Sequence, residues 1–333
     1  MLSQVVELIE NNNNFAITTH VRPDGDGIGS SLGLCWLLRS LGKNAEVIAS
    51  DGIPLAYQQL PGANEIRKVA GIDKKYDAVF VIECSDVARP HIKNLENEFV
   101  VNIDHHATCA HFGSINWIDP TASAVGEMIY NLCKAIGGRI TKEIAECVYM
   151  ALVTDTGSFH FPNTTDRTLK VASELVKVGV KPAQISEAVY NSYPWSRIEL
   201  MRQVLSTVRR DASGRVAFMR QTLEMKKDSG AVDGDNNGFV NIPLAAKEVA
   251  AVVYMREVEP DVFRVSLRSK DGVNIARVAE KFGGGGHKNA AGCRASGDWN
   301  EIEREIVEAL VEAVEKSHDN LAQIKNELEM SLA

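Results

Sequence analysis

Four short apolar runs rich in β-branched residues punctuate the first third of the chain: FAITTH (15–20), AEVIAS (45–50), DAVFVIE (77–83) and FVVNID (99–104). Each is apolar nearly throughout, the pattern of strands covered on both faces. Helical periodicity occupies about 28–41, 123–136, 141–153, 165–178 and 182–191, and several of these stretches begin just after Ser, Thr or Pro. The alternation predicts an α/β domain built on a parallel sheet with helices on both faces.

Beyond Tyr193 the pattern changes. A helical stretch at 195–210 leads into RVAFMRQT, VAAVVYMREVE and FRVSLRS, which read as strands of a second, smaller α/β domain. With 333 residues, two domains are expected. We place the first at 1–190, a linker helix at 191–212 and the second domain at 213–333, with a cleft between them. The last helix starts near 299 and sets Ile302, Ile306, Leu310 and Val314 on one stripe, a packing feature with no chemistry attached. Hydrophobic residues at 45% and charged residues at 24% exclude fibrous and disordered classes. No apolar run approaches a membrane span. The start, MLSQVVELIENNNN, has acids and asparagines where a secretory signal needs a basic and then an apolar segment, so a cytoplasmic protein is expected. Cys35, Cys84, Cys109, Cys133, Cys147 and Cys293 show no CxxC pairing and are read as reduced thiols.

The net charge of −8 is uneven: residues 298–333 carry −7, whereas 261–294 carry +4 around a glycine-rich stretch. A solvated face explains either cluster taken alone.

The strongest local signal is His20-Val-Arg-Pro-Asp24-Gly-Asp26-Gly-Ile-Gly-Ser30, where the first strand passes into the first long helix. In a parallel sheet, ligands bind at such a strand end. One imidazole and two carboxylates separated by Pro and Gly in a tight turn can converge as metal ligands, and Ser30 with the free amides of the helix start favours a phosphate oxygen. The plain alternative is a turn with an Asp cap. Two more apolar runs end similarly: DAVFVIECSD in Asp86, and FVVNIDHH in Asp104, His105 and His106. Adjacent residues on an extended segment point opposite ways, so one of the two histidines faces the metal and the other the substrate or a supporting acid. ALVTDTGSFH adds Asp155. His20, His105, Asp24, Asp26, Asp86 and Asp155, with no thiolate among them, suit Mn²⁺ or a similar cation. They suffice for two metals about 3.5 to 4 Å apart with one bridging carboxylate.

In the second half, four consecutive glycines, Gly283 to Gly286, precede His287 and Lys288. Unshielded backbone N–H groups beside donor side chains make an anion cradle, where the bland reading is a flexible hinge. Arg268 on the preceding strand can hold a phosphate through two parallel hydrogen bonds. Asp233-Gly-Asp235-Asn-Asn237-Gly238 begins like a calcium loop, but Leu244 stands at the twelfth position, so it is read as a solvated turn.

In these elements the chain resembles the DHH phosphoesterase family, through His20/Asp24/Asp26/Ser30, the strand-end Asp86, Asp104-His105-His106, TDTGSF with Asp155, and Gly284-Gly285-Gly286-His287. The resemblance spans nearly the whole chain and is strongest to enzymes that degrade very short RNA and remove the 3′-phosphate from 3′-phosphoadenosine 5′-phosphate (pAp). It implies that His20, Asp24 and Asp86 hold one Mn²⁺ and that Asp26, Asp86, His105 and Asp155 hold a second, with Asp86 bridging. It also implies that His106 contacts the scissile phosphate, that Ser30, Arg268, Gly284, Gly285, Gly286 and His287 bind substrate, and that a homodimer is an available assembly. His160 departs from the family pattern, in which Arg often follows the Ser-Phe pair, and leaves one phosphate contact open.

Two other functions compete. A cyclic di-AMP phosphodiesterase would use the same ligands, and the lack of a sensory or membrane segment ahead of the first lobe weighs toward the RNA-end enzyme. A non-catalytic nucleotide-binding module is the reading from a different class; retained pAp binding without metal binding would mark it.

Overall fold

The structure, a computed structural model, describes residues 1–270 and 272–331, with the side chains of His287 and of 318–331 outside the described residues. The chain divides into two compact units, Met1–Ser192 and Tyr193–Ala333.

The first unit is built on β1 (Asn14–Thr19), β2 (Asn44–Ala49), β3 (Arg67–Lys68), β4 (Ala78–Ile82), β5 (Val100–Asp104) and β6 (Ile115–Ile118). They form one sheet in the order β3-β2-β1-β4-β5-β6, and every pairing is parallel. The four runs read from the sequence are its centre. β3 and β6, at two and four residues, are too short to stand out from the surrounding loops. The strand order reverses between β1 and β4, whose register ends with Thr19 opposite Ile82. A crevice at such a switch point is where open α/β sheets bind ligands, and the next residues along the two strands are His20 and Glu83.

Six helices belong to this unit: α1 (Leu2–Asn11), α2 (Gly25–Ser40), α3 (Val125–Ala135), α4 (Lys142–Asp155), α5 (Asp166–Val178) and α6 (Pro182–Tyr190). All six contribute to one apolar cluster with Phe15, Ile17, Phe80 and Ile82, residues on one face of the sheet. The opposite face buries Ala16, Ile48, Val79 and Val81 against Tyr76, Ile92 and Leu95. Segment 50–113 supplies that cover and contains 3₁₀ turns but no α-helix. The expectation of helices on both faces therefore holds for one face, and loops cover the other.

α2 is buried on every side over its first two turns. A Cβ at Gly29 would stand 2.5 Å from the Cys147 carbonyl oxygen on α4, so glycine permits the close helix contact that seats the start of α2.

The second unit carries β7 (Arg209–Arg210), β8 (Val216–Gln221), β9 (Ala251–Glu259), β10 (Val262–Ser269), β11 (Gly285–His287) and β12 (Ala290–Ser296). Their order is β11-β12-β10-β9-β8-β7, with β8 and β9 parallel and the other pairs antiparallel. Its helices are α7 (Trp195–Leu205), α8 (Leu223–Ser229), α9 (Asn241–Leu244), α10 (Ala276–Lys281) and α11 (Trp299–Ser331). Ile306, Leu310 and Val314 of α11 are buried against the sheet, with Ile302 partly buried beside them. The helix read as a linker, α7, buries Leu200 and Val204 among β8 and β9 residues, so it packs as part of this unit.

The candidate metal centre

Three strands deliver a side chain at the first residue beyond their ends. His20 follows β1, Glu83 follows β4 and His105 follows β5. Asp24 and Asp26 arrive on the turn into α2, where Asp24 is the N-cap and accepts from the Gly27 N–H at 3.0 Å. Asp155 is the last residue of α4.

These residues gather into groups whose donor atoms lie within 4.8 Å of one another: His20, Asp24 and Glu83; Asp26, Glu83, His105 and Asp155; and Glu83, His105 and His106. Glu83 belongs to all three. Asp86, expected to bridge, lies three residues further on, exposed, with its carboxylate accepting from the Ala88 N–H at 2.7 Å in a local turn. It joins none of the groups, and the structure corrects the shared carboxylate from Asp86 to Glu83. The physical reason is reach, because only the residue directly after β4 lies beside His20 in the crevice. Glu83 also adopts φ 56°, an unusual conformation for a non-glycine residue that turns its side chain in from the strand end. Gly27 leaves room for it, since a Cβ there would stand 2.6 Å from Thr19 Oγ1 and 3.0 Å from Glu83 Oε2.

The histidines are oriented from behind. His20 Nδ1 lies 2.9 Å from the Val21 carbonyl and His105 Nδ1 lies 3.1 Å from the Ala122 carbonyl. A carbonyl only accepts, so in each ring Nδ1 carries a proton, which leaves Nε2 as the ring's donor atom for a cation in the neutral tautomer. His20 Nε2 then faces Glu83 Oε2 at 3.5 Å, and His105 Nε2 faces Asp155 Oδ2 at 3.5 Å and Asp26 Oδ2 at 3.9 Å. Both His105 Nε2 and Glu83 Oε2 are buried without a hydrogen-bond partner among the described residues. In the neutral tautomer these nitrogen and oxygen donors converge without partners, and a cation among them would satisfy both.

The carboxyl groups record the same strain. Burial, reinforced by Asp24 and Asp26, pushes Glu83 well above the usual carboxylate range. Burial also raises Asp26, against His105 and a hydrogen bond from Ser30. Asp155 is pushed up to about 7 by burial and then by Asp26. Four carboxylates against two imidazoles, with Asp26 and Glu83 buried, Asp155 partly so and Asp24 open to solvent, make an acidic cluster that a divalent ion would neutralise, and its nitrogen and oxygen donors without thiolate suit an ion of that kind.

His106 has a different place. Its Nδ1 lies 2.7 Å from Asp104 Oδ1, which also accepts from the backbone N–H groups of His105 and His106. The Asp104 hydrogen bond raises the His106 pKa and outweighs burial, favouring the imidazolium. Asp104 itself is held low, because hydrogen bonds from His106 overcome its burial.

Ser30, expected at a phosphate, is fully buried and its hydroxyl donates to Asp26 Oδ1 at 2.7 Å, so it supports a carboxylate and does not face a substrate. In the second unit, Arg268 is half-buried, its Nη1 donates to the Leu267 carbonyl at 2.9 Å, and no carboxylate pairs with it among the described residues. The glycine run is more ordered than a flexible loop: β11 pairs with β12, and a Cβ at Gly284 or Gly286 would strike the β12 backbone at 2.2 or 2.5 Å. Gly283 and Gly285 face open space. The register sets position 287 opposite Ala290, and Ala290 opposite Arg268. The His287 side chain lies outside the described residues.

A parallel sheet with an imidazole and carboxylate cluster at its switch point, followed by a separate mixed-sheet unit, defines a class that comparison with known proteins identifies. Residues 14–152 match the DHH family, N-terminal domain, residues 216–316 match the DHHA1 domain, and the chain belongs to the DHH family. It is 35% identical to the bifunctional oligoribonuclease and PAP phosphatase NrnA of Thermus thermophilus over 319 residues, covering 95% of this chain and 94% of that protein. It is 29% identical to the protein of the same name from Bacillus subtilis, covering 96% of this chain and all of that one. Among solved structures, an exopolyphosphatase-related protein from Bacteroides fragilis superposes with a TM-score of 0.87 at 30% identity, over 93% of this chain and 95% of that one.

Proposed function

We propose that this chain is a metal-dependent phosphoesterase that hydrolyses oligoribonucleotides a few residues long to mononucleotides and removes the 3′-phosphate from pAp, with Mn²⁺ as its working metal. The observation that carries the reading is the pair of donor groups meeting at Glu83. His20 and Asp24 with Glu83 hold one divalent ion; Asp26, His105 and Asp155 with Glu83 hold the other. Bound at these donors, such ions lower the pKa of coordinated water and neutralise charge on a phosphoryl group. Ser30 keeps Asp26 aimed. His106, whose cationic form Asp104 favours, donates toward a phosphoryl oxygen and stabilises charge that grows there. Arg268, with the backbone at Gly284, Gly285 and Gly286 and with His287, binds the far phosphate or terminal base of the substrate. The names of the Thermus and Bacillus relatives support this substrate class. Among the described residues no helix is long and apolar enough to cross a membrane. A cytoplasmic location and a homodimer belong to the same proposal, the latter testable by light scattering.

The test is hydrolysis of four substrates in parallel with Mn²⁺: a 5′-phosphorylated RNA dimer-to-pentamer series, pAp, cyclic di-AMP and pyrophosphate. Release of mononucleotides from short RNA together with phosphate from pAp is expected. Preferential opening of cyclic di-AMP would overturn the substrate assignment, and pAp binding without turnover or metal uptake would overturn the enzyme reading altogether.

A further inference from the structure

The turn at 121–126 contacts two of the four donors in one half of the cluster directly and a third through Asn163. The Ala122 carbonyl orients His105 at 3.1 Å, the Val125 and Gly126 N–H groups donate to Asp26 at 2.7 and 3.0 Å, and the Ser123 carbonyl accepts from Asn163, which lies 3.4 Å from Asp155 Oδ2. The turn is itself fastened to one buried side chain. Glu127 is 1% exposed, and its Oε2 accepts from the Ser123 N–H at 3.2 Å, the Ser123 hydroxyl at 2.8 Å and the Thr168 hydroxyl at 3.4 Å. Its Oε1 meets Arg167 Nη2 at 3.0 Å, and the same nitrogen donates to the Thr121 carbonyl at 2.8 Å. A buried carboxylate so fully engaged fixes its partners more rigidly than backbone turns do alone. The other half is held differently, His20 by the Val21 carbonyl and Asp24 by the Gly27 N–H, with no hydrogen bond to this turn among the described residues.

We propose that Glu127, through the 121–126 turn, is a positioning residue that sets metal affinity at the Asp26/His105/Asp155 half of the centre and leaves the His20/Asp24 half unaffected. The inference rests on the two-ion reading above. Residues that support metal ligands in this way change affinity by about 10- to 100-fold when lost.

The experiment is Mn²⁺ titration of the full chain by calorimetry and by electron paramagnetic resonance of free Mn²⁺. Four proteins are compared: wild type, Glu127→Gln, Asn163→Ala, which removes the link between the Ser123 carbonyl and Asp155, and Glu303→Gln. The last disturbs a buried carboxylate ion-paired with Arg209 and Arg220 in the second unit and controls for general loss of stability. Wild type is expected to take up two equivalents. Glu127→Gln and Asn163→Ala should each weaken one equivalent about tenfold or more and keep the other within about twofold, while Glu303→Gln keeps both. Two unchanged equivalents in Glu127→Gln and Asn163→Ala, or equal weakening of both, overturns the positioning role alone. Fewer than two equivalents in wild type overturns the two-ion reading and this inference with it.

Discussion

Asp155→Asn puts a number on the electrostatic strain of the cluster. The Asp155 carboxyl is pushed from 3.8 up to about 7, by burial first and Asp26 second, and its side chain is about a quarter exposed. A raised folded-state pKa means that the folded chain holds a proton which the unfolded chain has released. Metal-free stability from this group is therefore complete below about pH 4 and is lost as pH climbs to about 7. At about 1.4 kcal/mol per pH unit, the loss between pH 5 and pH 7 approaches 3 kcal/mol as a ceiling. Solvent screening and the interplay with Asp26 bring the expected figure to about 1–2 kcal/mol. Asparagine carries no charge at either pH, so metal-stripped Asp155→Asn should escape most of this loss. In calorimetry with a chelator at pH 5 and pH 8, the first-unit transition of wild type should fall about 2–8 °C further than that of the variant, at about 2–4 °C per kcal/mol. Adding Mn²⁺ at pH 8 should stabilise wild type by about 3 kcal/mol at a hundredfold excess over Kd, and the variant much less. Equal pH dependence of the two metal-stripped proteins, or equal gains from Mn²⁺, would refute the reasoning.

Two other perturbations separate the remaining roles. Arg268→Ala removes a half-buried guanidinium that has no carboxylate partner among the described residues, so KM for pAp and short RNA should rise about 10- to 100-fold with kcat little changed; steady-state kinetics showing the reverse split would refute substrate anchoring. Asp104→Asn replaces the carboxylate that raises the His106 pKa with a neutral amide, so His106 loses its proton at lower pH and the alkaline limb of kcat/KM should move to lower pH; an unmoved limb would show that the imidazolium does not act.

Much of this protein is legible in its residues because the centre is assembled from strand ends. The non-alternating runs mark the central strands, and His20, Asp24, Asp26, His105 and Asp155 fall where a parallel sheet collects ligands. The misreading of Asp86 is instructive. His20 and His105 each directly follow their strand, and the same rule applied to β4 selects Glu83 in place of the aspartate three residues later. The apolar run DAVFVIE already ended on that glutamate. Ser30 was misplaced for another reason: a hydroxyl one helical turn after Asp26 reaches that carboxylate first, and burial of the whole turn then closes it to substrate. The glycine run looked like a loop because its need for glycine comes from β12, a strand that approaches only in the fold. Glu127 and Asn163 gave no signal in the sequence. Apart from the nearby Ser123, the partners of Glu127 are Thr168 and Arg167, and Asn163 reaches back to Ser123, contacts that only tertiary packing makes; an isolated Glu on an amphipathic helix reads as a solvated residue.

Glu83 is the carboxylate proposed to be shared by both halves of a metal centre that cleaves short RNA. The most direct test is Mn²⁺-dependent hydrolysis of an RNA trimer and of pAp by wild type, Glu83→Gln and Asp86→Asn, with Mn²⁺ binding measured on the same preparations. Glu83→Gln should lose at least about a thousandfold in kcat on both substrates and fail to bind two equivalents of metal, while Asp86→Asn stays within about threefold of wild type. Near-normal turnover by Glu83→Gln, or its collapse in Asp86→Asn, would contradict the assignment.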